Sequence, residues 1–111
     1  MPKFRDEFHL PLNESDTFLA CREAIAQTGW RVMELAHNRI VCKEVSPQGT
    51  SFTWAAQVEV VVAGLQADGT QVTLYGSIFG LGPVQSGHLK GQVGNLRNRI
   101  EIIALKSKPS T

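Results

Sequence analysis

SFTWAAQVEVVV, residues 51–62, is the stretch that decides how this chain folds. Phe52, Trp54, Ala56, Val58, Val60 and Val62 are apolar on one parity, and Ser51, Thr53, Gln57 and Glu59 are polar on the other. Only Ala55 and Val61 blur the outer face. A period of two over this length predicts a long strand with one face in a core and one facing water. Asp68-Gly69 marks the next turn. Val72, Leu74, Gly76 and Ile78 then carry the inward face onward, with Gln71, Thr73 and Ser77 outward.

Upstream, the same logic places two more short strands. Residues 30–35 and 39–45 are rich in β-branched or large apolar side chains, and Ala36-His37-Asn38 between them has turn chemistry, which predicts a hairpin. Residues 46–50 are read as a second turn. Near the start, Phe4, Phe8, Leu10 and Leu12 alternate with Arg5, Glu7 and His9, a half-buried first strand in which Pro11 fits an edge position or the last residue. Asp6 interrupts that apolar register and is read as a frayed start. Between this strand and the hairpin, residues 13–16 supply N-caps and first-turn acids, Phe18, Cys21, Ile25 and Thr28 form one helical stripe, and Gly29 stops the helix.

The final element is a long helix. Leu89, Val93, Leu96, Ile100 and Ile103 make a narrow apolar seam, with Lys90 and Arg97 on one flank and Arg99 and Lys106 on the other. Gly91 and Gly94 each cost about 1 kcal/mol in a helix interior relative to Ala. That cost predicts either a start near Gln92 or a close backbone approach. Ile102 and Leu105 fall outside the seam, as a small patch for another protein or a second copy, or as caps at the far end of the core.

The expected order is strand, helix, four strands, helix. This is an α+β domain, β-α-β-β-β-β-α, whose mostly antiparallel sheet has one face covered by two helices, the longer one C-terminal. A single domain is expected over residues 1–105, with 106–111 as a disordered tail. Hydrophobic residues at 42% and charged residues at 19% fit a compact globular chain. The formal net charge of +1 gives no field that dictates a nucleic-acid or membrane partner. Charges at Lys3, Arg5, Asp6 and Glu7 stand where a secretory signal needs an apolar run, and no stretch reaches the ~18 apolar residues of a membrane span. Cys21 and Cys42 read as reduced, buried thiols, so a cytoplasmic location is expected.

In topology the chain resembles the helix-grip and TATA-binding-protein-like group of folds, in which a curved antiparallel sheet holds a long C-terminal helix. In sequence it is similar to small uncharacterised bacterial domains through Gly29-Trp30, residues 51–54, and Asn95-Leu96-Arg97-Asn98. That resemblance implies a fold and brings no functional residue with it. Nucleic-acid readers of this topology expose basic and aromatic groups on the sheet. The outer face here offers Ser51, Thr53, Gln57, Glu59, Gln71 and Thr73, with Tyr75 and Phe79 near one end, which argues against nucleic acid. The larger ligand-binding helix-grip proteins have more strands with which to form a cavity.

Residues 80–88 imitate a phosphate loop, with Gly82 and Gly87 at the right spacing. The lysine position, however, holds His88 and the Ser/Thr position holds Leu89. A crossover feeding the last helix is the expectation, with an anion at that helix's amides its one chemical use. His9, His37 and His88 share no metal-ligand spacing with each other or with the cysteines, and no nucleophile–base set assembles. No cofactor is expected. The leading reading is a non-enzymatic binding or protein-interaction domain, monomeric or weakly homodimeric. The alternative is a carrier of a small apolar or anionic ligand in a pocket between sheet and final helix. A third reading is an enzyme centred on His88. Candidate ligand-binding residues are Trp54, Gly82, Gly87, His88, Lys90 and Arg97.

Overall fold

The computed structural model describes residues 3–45, 55–64, 69–78 and 83–107. The expected parities become strands and the expected stripes become helices: β1 (Lys3–Leu10), α1 (Glu14–Thr28), β2 (Arg31–Leu35), β3 (Arg39–Lys43), β4 (Gln57–Gly64), β5 (Thr70–Ser77) and α2 (Pro83–Ser107). All strand pairs are antiparallel in the order β1-β5-β4-β3-β2, so the first strand closes beside the last and β2 is the opposite edge.

Register fixes which side chains meet. Val58, Val60 and Val62 of β4 stand opposite Gly76, Leu74 and Val72 of β5, and all five valines and leucines are fully buried. Opposite Phe8 of β1 lies Val72, and Ile40 and Cys42 of β3 pair with Val60 and Val58. These residues form the inner face. Residues 51–54, on which half of the expected alternation rests, lie outside the described residues; from Gln57 onward the alternation holds.

Helix α1 is capped as its sequence requires. Asn13 Oδ1 accepts the Asp16 N–H at 2.7 Å, and Gly29 takes a left-handed φ of 78° and returns its N–H to the Ala26 carbonyl. The buried side of α1 is Thr17, Ala20, Cys21, Ala24 and Ile25, about a residue turned from the expected stripe, which leaves Phe18 half-buried at the rim.

Helix α2 differs from expectation at its start. It begins at Pro83, where a missing N–H costs a helix nothing, and runs through the glycines to Ser107, past the expected domain limit at 105. Gly87 and His88 are therefore helical, not part of a crossover loop. A Cβ at Gly87, Gly91 or Gly94 would meet nothing within 4 Å, so neither a late start nor a close approach explains these residues. The helix tolerates them because its seam does the holding: Leu89, Val93, Leu96 and Ile100 are all buried.

The close approach is on the strand side. A Cβ at Gly76 would lie 2.9 Å from both Leu89 Cδ1 and Val93 Cγ2. Helix α2 rests chiefly on β1 and β5, and α1 on β4 and α2. Cys21 of α1 and Cys42 of β3 are fully buried in the core between them. Burial pushes both thiols up to about 12 from an ordinary 9.0, with Cys42 adding to the rise at Cys21.

Two outcomes follow from this packing. Gly76→Ala destabilises the fold by about 1–3 kcal/mol, because two buried side chains must move, whereas Gly91→Ala and Gly94→Ala each stabilise it by about 0.5–1 kcal/mol. Urea unfolding of the three variants checks this. The thiols resist a disulfide reagent at pH 8 until the chain unfolds. Unfolded thiols ionise near 9 and folded ones near 12, so the folded chain binds more protons above pH 9. Their contribution to stability is intact below about pH 9 and is lost as pH rises toward 12, which a melting series in that window detects.

Candidate functional site

Two acids stand on the inward register of the sheet, one on each side of α2. On β1, Asp6 shares its face with Phe4, Phe8 and Leu10. It does not fray the strand, which pairs with β5 from Lys3 onward. Arg97 Nη1 donates to both Asp6 oxygens at 3.0 and 3.1 Å, and Arg97 Nε donates to Glu101 Oε1 at 3.2 Å one turn along the helix. The guanidinium carbon lies 4.8 Å from the centre of the Phe8 ring. The hydrogen bond to Asp6 is the chief cause that raises the Arg97 pKa above its ordinary value.

On the other flank, Glu44 continues the inward parity of Ile40 and Cys42 just past the end of β3. Its N–H donates to the Ala56 carbonyl at 2.9 Å, and its Oε1 accepts the Ala56 N–H at 3.0 Å. His88 Nε2 approaches Oε1 at 2.8 Å and Oε2 at 3.1 Å, and Gln92 Nε2 donates to Oε2 at 2.5 Å. A carboxylate only accepts, so Nε2 of His88 is the donor in these contacts. The Glu44 side chain is 12% exposed, and these donors supply what water no longer can.

Beside Glu44 the packing opens. A cleft of about 820 Å³ is bounded by Thr28 and Trp30 at the end of α1, by Glu44 and Val45 after β3, and by Gln92, Asn95, Leu96, Asn98, Arg99 and Ile102 on α2. Its walls are of two kinds. Trp30, Val45, Leu96 and Ile102 are apolar, while Asn95, Asn98 and Arg99 carry amide and guanidinium donors. Arg99 Nη1 donates to Gln27 Oε1 at 3.4 Å, a long bond that leaves most of its five N–H groups for other acceptors.

The expected site residues fall in different places. His88 borders the cleft through Glu44. Arg97 faces the opposite flank, held by Asp6. Lys90 and Gly87 are exposed on α2, and Trp54 and Gly82 lie outside the described residues. Sequence reasoning missed Glu44, Asn95, Asn98 and Arg99 as a group. The signal for Glu44 was present, since it is a carboxylate on the inward parity of a strand. The same reading applied to Asp6 would have asked which cation meets it. Among the described residues, no three His, Cys, Asp or Glu side chains gather as a metal site, and no helix is long and apolar enough to cross a membrane.

No protein-family model matches the sequence, and a search of curated proteins finds no match. The fold has solved counterparts. The crystal structure of Ara h 8.0201 superposes with a TM-score of 0.64 at 10% identity, over 95% of this chain and 98% of that one. TTHA0849 from Thermus thermophilus gives 0.55 at 14% identity, over 97% of this chain and 100% of that one. DynU16, from the dynemicin biosynthetic locus, gives 0.65 at 14% identity, over 96% of this chain and 48% of its own length. At such identities the likeness is one of fold, and it supports the helix-grip half of the expected resemblance without supporting the TATA-binding-protein-like half specifically. The chain has a small helix-grip-like α+β fold.

Proposed function

We propose that this chain is a non-enzymatic binding domain whose cleft takes a small ligand with an apolar body and an anionic head. The observation that carries the reading is the position of the open volume. Where α2 meets β5 there is no space, since even a methyl group at Gly76 would collide with the seam. The unfilled space lies to one side, between Trp30, Val45 and the amide-rich flank of α2. Concave sites with mostly apolar walls and a few convergent donors are the usual form of small-molecule sites. Arg99 suits a carboxylate or phosphate through its planar fork of donors, and Asn95 and Asn98 add hydrogen bonds beside it. Trp30 and Ile102 take the apolar body. Glu44 also lines the cleft, with its oxygens engaged by His88, Gln92 and the Ala56 N–H. The two reduced, buried thiols accord with a cytoplasmic setting.

Laurate and its neutral counterpart dodecanol are suitable probes in a thermal-shift titration. Laurate raises the melting temperature more than dodecanol does. Arg99→Glu removes the preference for the acid, and Ile102→Asp weakens both. A chain whose melting point moves with neither compound is not a carrier of this type. Glu44→Ala serves as the contrast. It leaves the Ala56 N–H without the Glu44 oxygen, takes that acceptor from Gln92 Nε2, and lowers stability by about 1–3 kcal/mol, measured by urea unfolding. Arg99→Glu leaves stability within about 0.5 kcal/mol of the parent.

A further inference from the structure

The two edges of the sheet are built differently. Edge strand β1 turns a charge inward at Asp6 and carries Arg5, Glu7 and His9 outward. Inward-pointing charges are a known device for keeping a sheet edge from pairing with another chain. Edge strand β2 turns no charge inward. Its inward residues Val32 and Leu35, opposite Cys42 and Ile40, are 49% and 51% exposed, and Met33, the extra residue of a bulge, is 50% exposed. Among the described residues, no strand pairs with β2 on the side away from β3. Scattered apolar side chains on a surface need no explanation, but a row of them on an open strand edge is a pairing surface.

The β2 sequence is also complementary to itself. The bulge brings Arg31 and Glu34 to the same outer face, opposite Lys43 and Val41. Let two β2 strands run antiparallel about a two-fold axis between Val32 and Met33. Arg31 of each copy then faces Glu34 of the other, so both opposite-charge pairs form together. The same register sets Val32 against Met33 and Trp30 against Leu35. A slip of one residue in either direction loses both charge pairs and sets Glu34 against Val32 or Trp30.

We infer that this chain forms a two-fold dimer with a second copy of itself through β2, joining two five-stranded sheets edge to edge. Strands this short bury less than the roughly 1,200–2,000 Å² of a permanent interface, so the dimer exchanges with monomer.

Sedimentation equilibrium from about 1 μM to about 1 mM tests the inference. The wild-type chain follows a monomer–dimer equilibrium. Arg31→Glu places like charges opposite each other twice and weakens association by roughly tenfold, and Arg31→Glu with Glu34→Arg restores it. Arg39, which donates to Glu34 at 3.1 Å, keeps its bond to Glu59 in either variant. Val32→Lys abolishes the dimer without depending on the charge pairs. These side chains are exposed, so circular dichroism of the variants matches the parent. A chain that stays monomeric throughout overturns the inference. So does a dimer that survives Val32→Lys, or a double charge swap that fails to recover association.

Discussion

The seam of α2 lies directly on β5, and the rest of the structure is arranged around that contact. Gly76 is the place where it is tightest, with Leu89 and Val93 filling the space a side chain would need. Because the helix is in contact along Leu89, Val93, Leu96 and Ile100, the centre of the grip is solid. Interiors at this density have no slack for a ligand. Any binding volume has to lie off the helix axis, and the cleft beside Glu44 does.

The same contact determines what happens on each flank. A helix laid across a sheet leaves strand positions at its margins that are shielded from water yet not filled by its apolar seam. Asp6 and Glu44 occupy two such positions, on opposite sides. Each is answered from α2, by Arg97 in one case and by His88 with Gln92 in the other. Placing a carboxylate there is costly unless it is paired, so each acid selects a helix position that carries its donor. The two pairs thus fix the rotation of α2 about its axis, which the seam alone would leave looser. That rotation is what presents Asn95, Asn98 and Arg99 to the cleft.

The strands and both helices were legible because period-two and period-3.6 patterns are local. Val58, Val60, Val62, Val72 and Leu74 needed no knowledge of one another to be read as inward. The start of α2 was misread for the opposite reason. Glycine propensity is a local cost, while the burial of Leu89 and Val93 that offsets it is contributed by β5 and cannot be seen in the helix sequence. Asp6 was misread in the same way. In its own strand it looks like an interruption, and only its bonds to Arg97, near the other end of the chain, make it part of the inner face. The cleft draws on α1, β3 and α2 together, so no window of sequence contains it.

The open volume and the open edge have one origin. Two helices rest chiefly on β1, β5 and β4 and leave the β3–β2 end of the sheet less covered. On β3 the inward side chains Ile40 and Cys42 are still sealed, while one strand further out Val32 and Leu35 are half exposed. A sheet that outruns its helices has to end somewhere, and each strand beyond their reach exposes one more inward row. β2 is where that happens here, and Trp30, which leads into β2, lines the cleft as well. A ligand in the cleft and a second copy on the edge would therefore meet the same residue from two sides.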